Sequence, residues 1–178
     1  MVAGSILPVT IYNKKLYFLF GKENKFEDSS PGWSDFGGTC ENGETPYKTA
    51  LRESSEELTG FLGNSIEIKK LIKKNGGIYK IIHNDYHVHI FLIKYDNSLI
   101  NYYNRNHTFL WKNMDHKVLI ETKLFEKSEI KWFSVDDIKK KRSKFRHFYR
   151  NIVNKILSDV DNIKLFIINN YKNNKIEL

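Results

Sequence analysis

The sequence predicts an α/β fold class, and two patterns lead there. Short runs rich in β-branched and aromatic residues are separated by tight polar turns, and the stretch from Thr45 to Gly60 carries helix start and stop signals in the right order. Scale adds a third: 178 residues, 40% of them hydrophobic and 14% aromatic, can bury one sizeable core. Residues 1–178 therefore read as a single domain, with its core over about residues 3–160 and a C-terminal helix and tail beyond.

Taken in order, Ser5 to Tyr12 and Lys15 to Phe20 form a β-hairpin turning at Asn13 and Lys14. A polar loop from Gly21 to Trp33 follows, then a short connector, Asp35 to Thr39. Thr45 can cap a helix whose first position is Pro46, because the N–H that proline lacks would have no partner there. Gly60 stops it. Ser65 to Ile72, Ile78 to His83 and His87 to Tyr95 read as strands, the first two joined by a turn at Gly76 and Gly77. Asp96 opens an Asn- and Tyr-rich loop, with strand expected inside Thr108 to Leu124. Ile130 to Val135 is a further short strand, and Asp136 and Asp137 open a helical turn. Ser143 to Val160 reads as an amphipathic helix with Phe145, Phe148, Ile152, Ile156 and Leu157 on one face. The tail, Asn169 to Leu178, is expected to fray.

A single cysteine, Cys40, excludes an internal disulfide framework and a cysteine-based zinc site, and suits a reducing compartment. No apolar run approaches the roughly 18 residues that span a bilayer. The chain thus reads as soluble, intracellular and most simply cytoplasmic, with no membrane partner. Its net charge of +8 favours anionic partners, nucleotides or RNA among them. Positive charge collects late, from Lys139 to Arg150, where the plainest reading is a solvated helix face.

Against that background the acidic residues from Glu44 to Glu57 stand out. With Glu53 at zero on a helical wheel, Glu57 falls near 40° and Glu56 near 300°, so the carboxylates share an arc roughly 100° wide. Tyr47, Ala50, Leu51 and Leu58 mark the core side, which leaves the carboxylates facing solvent. Like charges on neighbouring turns repel, and a hard divalent cation such as Mg²⁺ or Mn²⁺ reverses the sign. Helix phase alone does not separate such a metal site from a solvated acidic face.

The whole stretch resembles the box of the Nudix hydrolase family: Gly38, five residues, Glu44, seven residues, then Arg52-Glu53-Ser54-Ser55-Glu56-Glu57. Three departures stand beside the match. Ser54 occupies a normally apolar position on the core arc and needs a partner such as the carbonyl four residues back. The closing Gly60 comes one residue late, which suggests an extra helical residue, and Phe36 stands where many members have proline.

The resemblance implies a Nudix fold, a mixed β-sheet sandwiched between α-helices, and a pyrophosphohydrolase acting on a nucleoside diphosphate linked to another moiety. It further implies Glu53, Glu56 and Glu57, with a backbone carbonyl of Gly37 or Gly38, as ligands of Mg²⁺ or Mn²⁺. Arg52 would be held by Glu44 and would orient Glu53. Within the family the general base is sometimes a box Glu and sometimes a distal carboxylate; Glu53 is the first choice, with Glu126 and Glu121 as distal candidates. Trp33, Tyr86 and Trp111 could stack a nucleobase. His83, His87 and His89 read as packed or substrate-contacting side chains rather than ligands. Rival readings are removal of the 5′ cap from RNA, and a nucleotide- or RNA-binding module without hydrolysis.

Overall fold

A computed structural model describes residues 1–25 and 30–174, and side chains as far as residue 170. The hairpin forms as expected from β1 (Ala3–Tyr12) and β2 (Lys15–Glu23), with Tyr12 opposite Lys15. Asn13 and Lys14 both take positive φ, 47° and 62°, the left-handed pair whose twist matches two antiparallel strands. Of the loop expected from Gly21, the first part continues β2, and residues 26–29 lie outside those described.

The connector supplies two short strands, β3 (Trp33–Ser34) and β4 (Phe36–Thr39), before helix α1 (Pro46–Glu57). Next come α2 (Ser65–Lys74), β5 (Tyr79–His83), β6 (Tyr86–Leu92), α3 (Asn97–Asn113) and α4 (His116–Glu121). The chain continues with β7 (Lys127–Ser134), α5 (Val135–Lys140), a single 3₁₀ turn at Arg142–Lys144, α6 (Arg150–Ser158) and α7 (Val160–Asn174). Strand β1 is the axis of a mixed sheet. One of its sides pairs in parallel with β6 from Ala3 to Val9, and antiparallel partners β4 and β2 take its first and second halves. Strand β2 then carries β3 and the edge strand β7.

Helices cover both faces. Ile6, Leu19, Phe91, Ile130 and Trp132 pack with Ala50 and Leu51 of α1, Ile68 and Ile72 of α2 and Tyr103 of α3. On the opposite face Leu7, Val9, Phe18, Phe20 and Phe133 pack with Ile138 of α5, Ile152 and Ile156 of α6, and Ile163 and Ile167 of α7. No helix among the described residues is long and apolar enough to cross a membrane.

Four expectations are overturned. Ser65 to Ile72 is helix, not strand: Asn64 accepts from the N–H groups of Ile66 and Glu67, and Glu67 returns the contact to the Asn64 N–H, a complete capping box. The Ile-Glu-Ile alternation imitates a strand, but Ile68 and Ile72 are the buried pair and Ile66 is exposed. The region from Asp96 to Leu124, expected as loop and strand, is also helical. Asp96 and Asp115 cap α3 and α4 by accepting from Ser98 and Lys117, which outweighs the weak helix propensity of Asn and Tyr. The late amphipathic helix begins only at Arg150. Before it, the Phe145 backbone is extended and bridges to Trp33, and Phe148 is exposed beneath the Arg146 guanidinium. The tail expected to fray from Asn169 is helical to Asn174, and residues 175–178 lie outside those described.

Candidate active site

Helix α1 starts as its sequence dictates, with the Thr45 hydroxyl accepting from the Lys48 N–H and Pro46 in the first turn. Gly4 of β1 lies against the Pro46 carbonyl, where a Cβ would collide with it, so the helix starts directly on the sheet. Ser54 is fully buried and its hydroxyl donates to the Leu51 carbonyl, three residues back rather than four, which satisfies it without an outside partner. The late glycine is explained differently from the expectation. The helix ends at Glu57, and the additional residue, Thr59, turns left-handed with φ 51° ahead of Gly60. That conformation costs a threonine about 1 kcal/mol. The Thr59 hydroxyl accepts from the Phe125 N–H at 3.0 Å, which ties the helix end to the segment carrying Glu126.

Arg52 organises the near side of the site. Its Nε and Nη2 donate to the two oxygens of Glu44, each at 3.0 Å, and Thr49 donates to the same carboxylate at 2.8 Å. This paired bond holds the Glu44 carboxyl down, to about 2. The remaining nitrogen, Nη1, reaches Glu53 at 2.9 Å and Glu56 at 3.3 Å, so one guanidinium sets three carboxylates in place. Glu53 lies against Gly38 so closely that any Cβ there would strike its carboxyl. Burial raises the Glu53 carboxyl above its ordinary range, against the pull of Arg52. Glu56 is the most exposed of the set, at 42%.

Glu57 departs from the expectation that all three carboxylates face solvent. Its side chain is 6% exposed; one oxygen accepts from the Gly37 N–H at 2.9 Å and the other meets the Lys127 ammonium at 2.7 Å. Lys127 is fully buried and lies equally close, 2.7 Å, to Glu23, which also accepts from Arg146 at 3.1 Å. Gly21 makes room for this lysine, since a Cβ there would press on its stem and on Phe36. Burial pushes the Glu57 carboxyl up to about 8, opposed by Lys127. Burial would lower the ammonium itself, but the Glu57 and Glu23 carboxylates outweigh it and hold Lys127 above its usual value. The Tyr103 hydroxyl lies 2.9 Å from the Glu57 carbonyl and 3.1 Å from that of Lys127, fastening α1 to β7.

Lys127, Glu23 and Tyr103 escaped the sequence reading. Lys127 sits among charged residues that look like a loop, Glu23 falls past the expected end of its strand, and Tyr103 lies where a loop was expected. The one available signal was Gly21, a lone glycine ending an apolar strand, which marks a close approach of something bulky.

Removing one partner of a buried pair leaves the other charge uncompensated, at about 3–5 kcal/mol. Lys127→Met is therefore expected to lower stability by about that amount at pH 8 and by less at pH 5. The sign follows from Glu57: its folded carboxyl lies above its unfolded value, so the stabilising proton is held at low pH and lost as pH rises. Chemical denaturation at the two pH values checks this, and an equal loss at both would show that Lys127 is not balancing buried carboxylates.

The structure places the other named residues as follows. Glu126 is 15% exposed, adjoins the Lys127 network through its negative charge on Glu57, and has Lys123 at 3.7 Å. Glu121 is exposed at the end of α4. Trp33, Tyr86 and Trp111 occupy three separate environments instead of one base site. Trp33 packs edge-on against Phe133; Tyr86 packs on Tyr149 and donates to the buried Asp35 at 2.7 Å; Trp111 lines a pocket with His107 and His116. Burial raises Asp35 to about 6, against its bonds from Ser5 and Tyr86. His89 is buried with Nδ1 on the Ser5 carbonyl, and burial holds it down at about 4, so it is neutral.

Hard oxygen donors on one helix face, with Gly38 behind them, suit a divalent cation of the Mg²⁺ or Mn²⁺ kind. Their mutual repulsion points the same way: Glu56 acts on Glu53, and Glu23 and Glu126 act on Glu57. Among the described residues no three His, Cys, Asp or Glu side chains are gathered as a ready metal-binding group. Arg52 draws Glu53 and Glu56 to one side, while Gly37 and Lys127 take both oxygens of Glu57. Glu53 and Glu56 are the two carboxylates that could face a cation as they stand, and Glu57 would have to release Lys127 to join them.

The family profile described as the NUDIX domain matches residues 5–155. No curated protein matches the chain by sequence. Among solved structures, a Nudix hydrolase from M. smegmatis, RenU, is similar at 10% identity and TM-score 0.51, over 92% of this chain and 88% of that one. The Nudix domain of Shewanella oneidensis NrtR, solved with ADP ribose, is similar at 11% identity and TM-score 0.50, over 91% and 86%. At these identities the likeness is one of fold.

Proposed function

Since the chain belongs to the NUDIX family of pyrophosphohydrolases, we propose that it hydrolyses a pyrophosphate bond in a nucleoside diphosphate linked to another moiety, with Mg²⁺ or Mn²⁺, inside the cell. The observation that carries this reading is the Arg52 guanidinium bonded at once to Glu44, Glu53 and Glu56, which draws the last two carboxylates to one side of the helix. Enzymes of this family generally use divalent ions, and Glu53, Glu56, Glu57 and the Gly38 carbonyl are the groups that would hold them here. When bound, such an ion polarises a phosphoryl oxygen and acidifies a water.

Glu53 accepts the proton of the attacking water. Its partial burial suits it, because a carboxylate raised above its ordinary range is a stronger base. Arg52 holds that carboxylate in place against Gly38, and Glu44 keeps Arg52 from swinging off. Lys127 holds Glu57 in register with the sheet.

Two other readings make different predictions. Nucleotide sugars, dinucleoside polyphosphates, nucleoside triphosphates and capped RNA, each incubated with Mg²⁺ and with Mn²⁺, are expected to include at least one substrate cleaved at a pyrophosphate bond, with no cleavage in chelator. Release of a capped nucleotide from RNA alone selects decapping. No cleavage of any of them, with binding retained, selects a non-catalytic module.

A further inference from the structure

Helix α2 buries one side and leaves the other bare. Ile68 and Ile72 pack into the core, and the Ser65 hydroxyl donates to the Leu51 carbonyl of α1 at 3.2 Å. With Lys69 at zero on a helical wheel, Lys73 falls near 40°, Lys70 near 100° and Lys74 near 140°, so four exposed lysines share one outer arc. Ile66 falls near 60°, among them, and is 66% exposed. An apolar side chain thus stands in the middle of a basic face.

Contacts within the protein do not account for this face. Among the described residues the lysines in ion pairs are Lys123, Lys127 and Lys141, none of them on α2. Glu67, the one acid of the helix, is turned back to the Asn64 N–H at 2.8 Å as part of the cap. Lys73 and Lys74 complement the negative end of the helix dipole, and Lys69 and Lys70 lie too early for that. The face is convex and carries no aromatic ring, so it offers a nucleic-acid strand nothing to stack on. It suits a flat anionic surface, since a cluster of four or more basic residues on an amphipathic helix attracts acidic lipid headgroups, and an apolar side chain among them enters below those headgroups.

We propose that the outer face of α2 docks the protein on an anionic membrane, with the four lysines against lipid headgroups and Ile66 in the boundary beneath them. No helix among the described residues is long and apolar enough to cross a bilayer, but a helix lying on one needs no span, so the expectation of no membrane partner does not extend to a surface contact. The placement leaves the carboxylates open: Leu51, where α2 joins α1, is about 160° around that helix from Glu53. Docking and hydrolysis therefore use different sides of α1, and the docking face stands independently of the pyrophosphohydrolase reading.

The test is cosedimentation of the full chain, in chelator, with vesicles of phosphatidylcholine made with and without phosphatidylserine. The protein is expected on the mixed vesicles only, and less of it as salt rises. Lys69→Ala, Lys70→Ala, Lys73→Ala and Lys74→Ala together, changes that favour the helix, are expected to weaken binding by at least about 30-fold, each lysine at such a surface being worth about fivefold. Lys112→Ala, Lys117→Ala, Lys139→Ala and Lys140→Ala together remove the same charge from other exposed helix positions and change it by less than about threefold. Ile66→Ser, with no change in charge, weakens binding by about fivefold. Equal losses in the two quadruple variants would reduce the contact to diffuse net charge, and an unchanged Ile66→Ser would remove the insertion; either result overturns the docking face, as does failure to bind the mixed vesicles. Polyglutamate or RNA held through the α2 lysines while the vesicles are not would overturn it as well, by giving the face to another partner.

Discussion

Glu56→Gln is expected to lower kcat by roughly 100-fold or more, since even groups that merely support a metal ligand are worth about 10–100-fold. The thermal midpoint in chelator should stay put or rise. Glu56 is 42% exposed and its ion-pair partner among the described residues, Arg52, keeps Glu44 and Glu53 when Glu56 becomes neutral. Glu57→Gln is expected to lose as much activity but to behave differently in stability. Above about pH 8, where Glu57 is ionised, the substitution takes a charge from Lys127 inside the protein, and the midpoint falls. Turnover with saturating Mn²⁺ and melting in chelator, measured on both variants, separate the two. Wild-type turnover in both would mean that α1 is not the site of reaction.

Glu53→Gln is expected to lose at least about 100-fold in kcat, the lower end of what a general base contributes, and Glu126→Gln less than tenfold. Both carboxylates are largely covered, with exposures of 18% and 15%, so access does not choose between them. Support does. Glu53 is held at 2.9 Å by an arginine that is itself anchored twice on Glu44, which fixes its direction. Metal titration of each variant distinguishes lost proton transfer from lost binding. A larger loss from Glu126→Gln at saturating metal would assign the base to the segment held by Thr59.

What was legible in the sequence was whatever repeats a local rule. Thr45 and Pro46 announce a helix start, Asn13 and Lys14 a hairpin, and the spacing from Gly38 to Glu57 a set of carboxylates on one arc. The misread elements set one local rule against another, as where the Asn64–Glu67 capping box outweighed the Ile-Glu-Ile alternation, or a local rule against a tertiary contact. The Asn-rich run after Asp96 has weak intrinsic helicity, and it is helical because Tyr103 can reach two carbonyls in the core from one turn of α3. Lys127 was illegible for a stronger reason. Nothing near it in sequence says that Glu23 and Glu57 will meet it, and a buried lysine is unusual enough that composition argues against one.

The Gly21 site bears on how a mutational map of this protein would look. A glycine that clears space for the stem of Lys127 and the ring of Phe36 carries no reacting group, yet Gly21→Ala would push that stem, and with it the ammonium, out from between Glu57 and Glu23. Loss of function at such a position is steric in origin and electrostatic in effect. A scan that drew the reacting centre from sensitivity alone would extend it by a strand, and would count as chemistry a residue whose whole contribution is the volume it does not occupy.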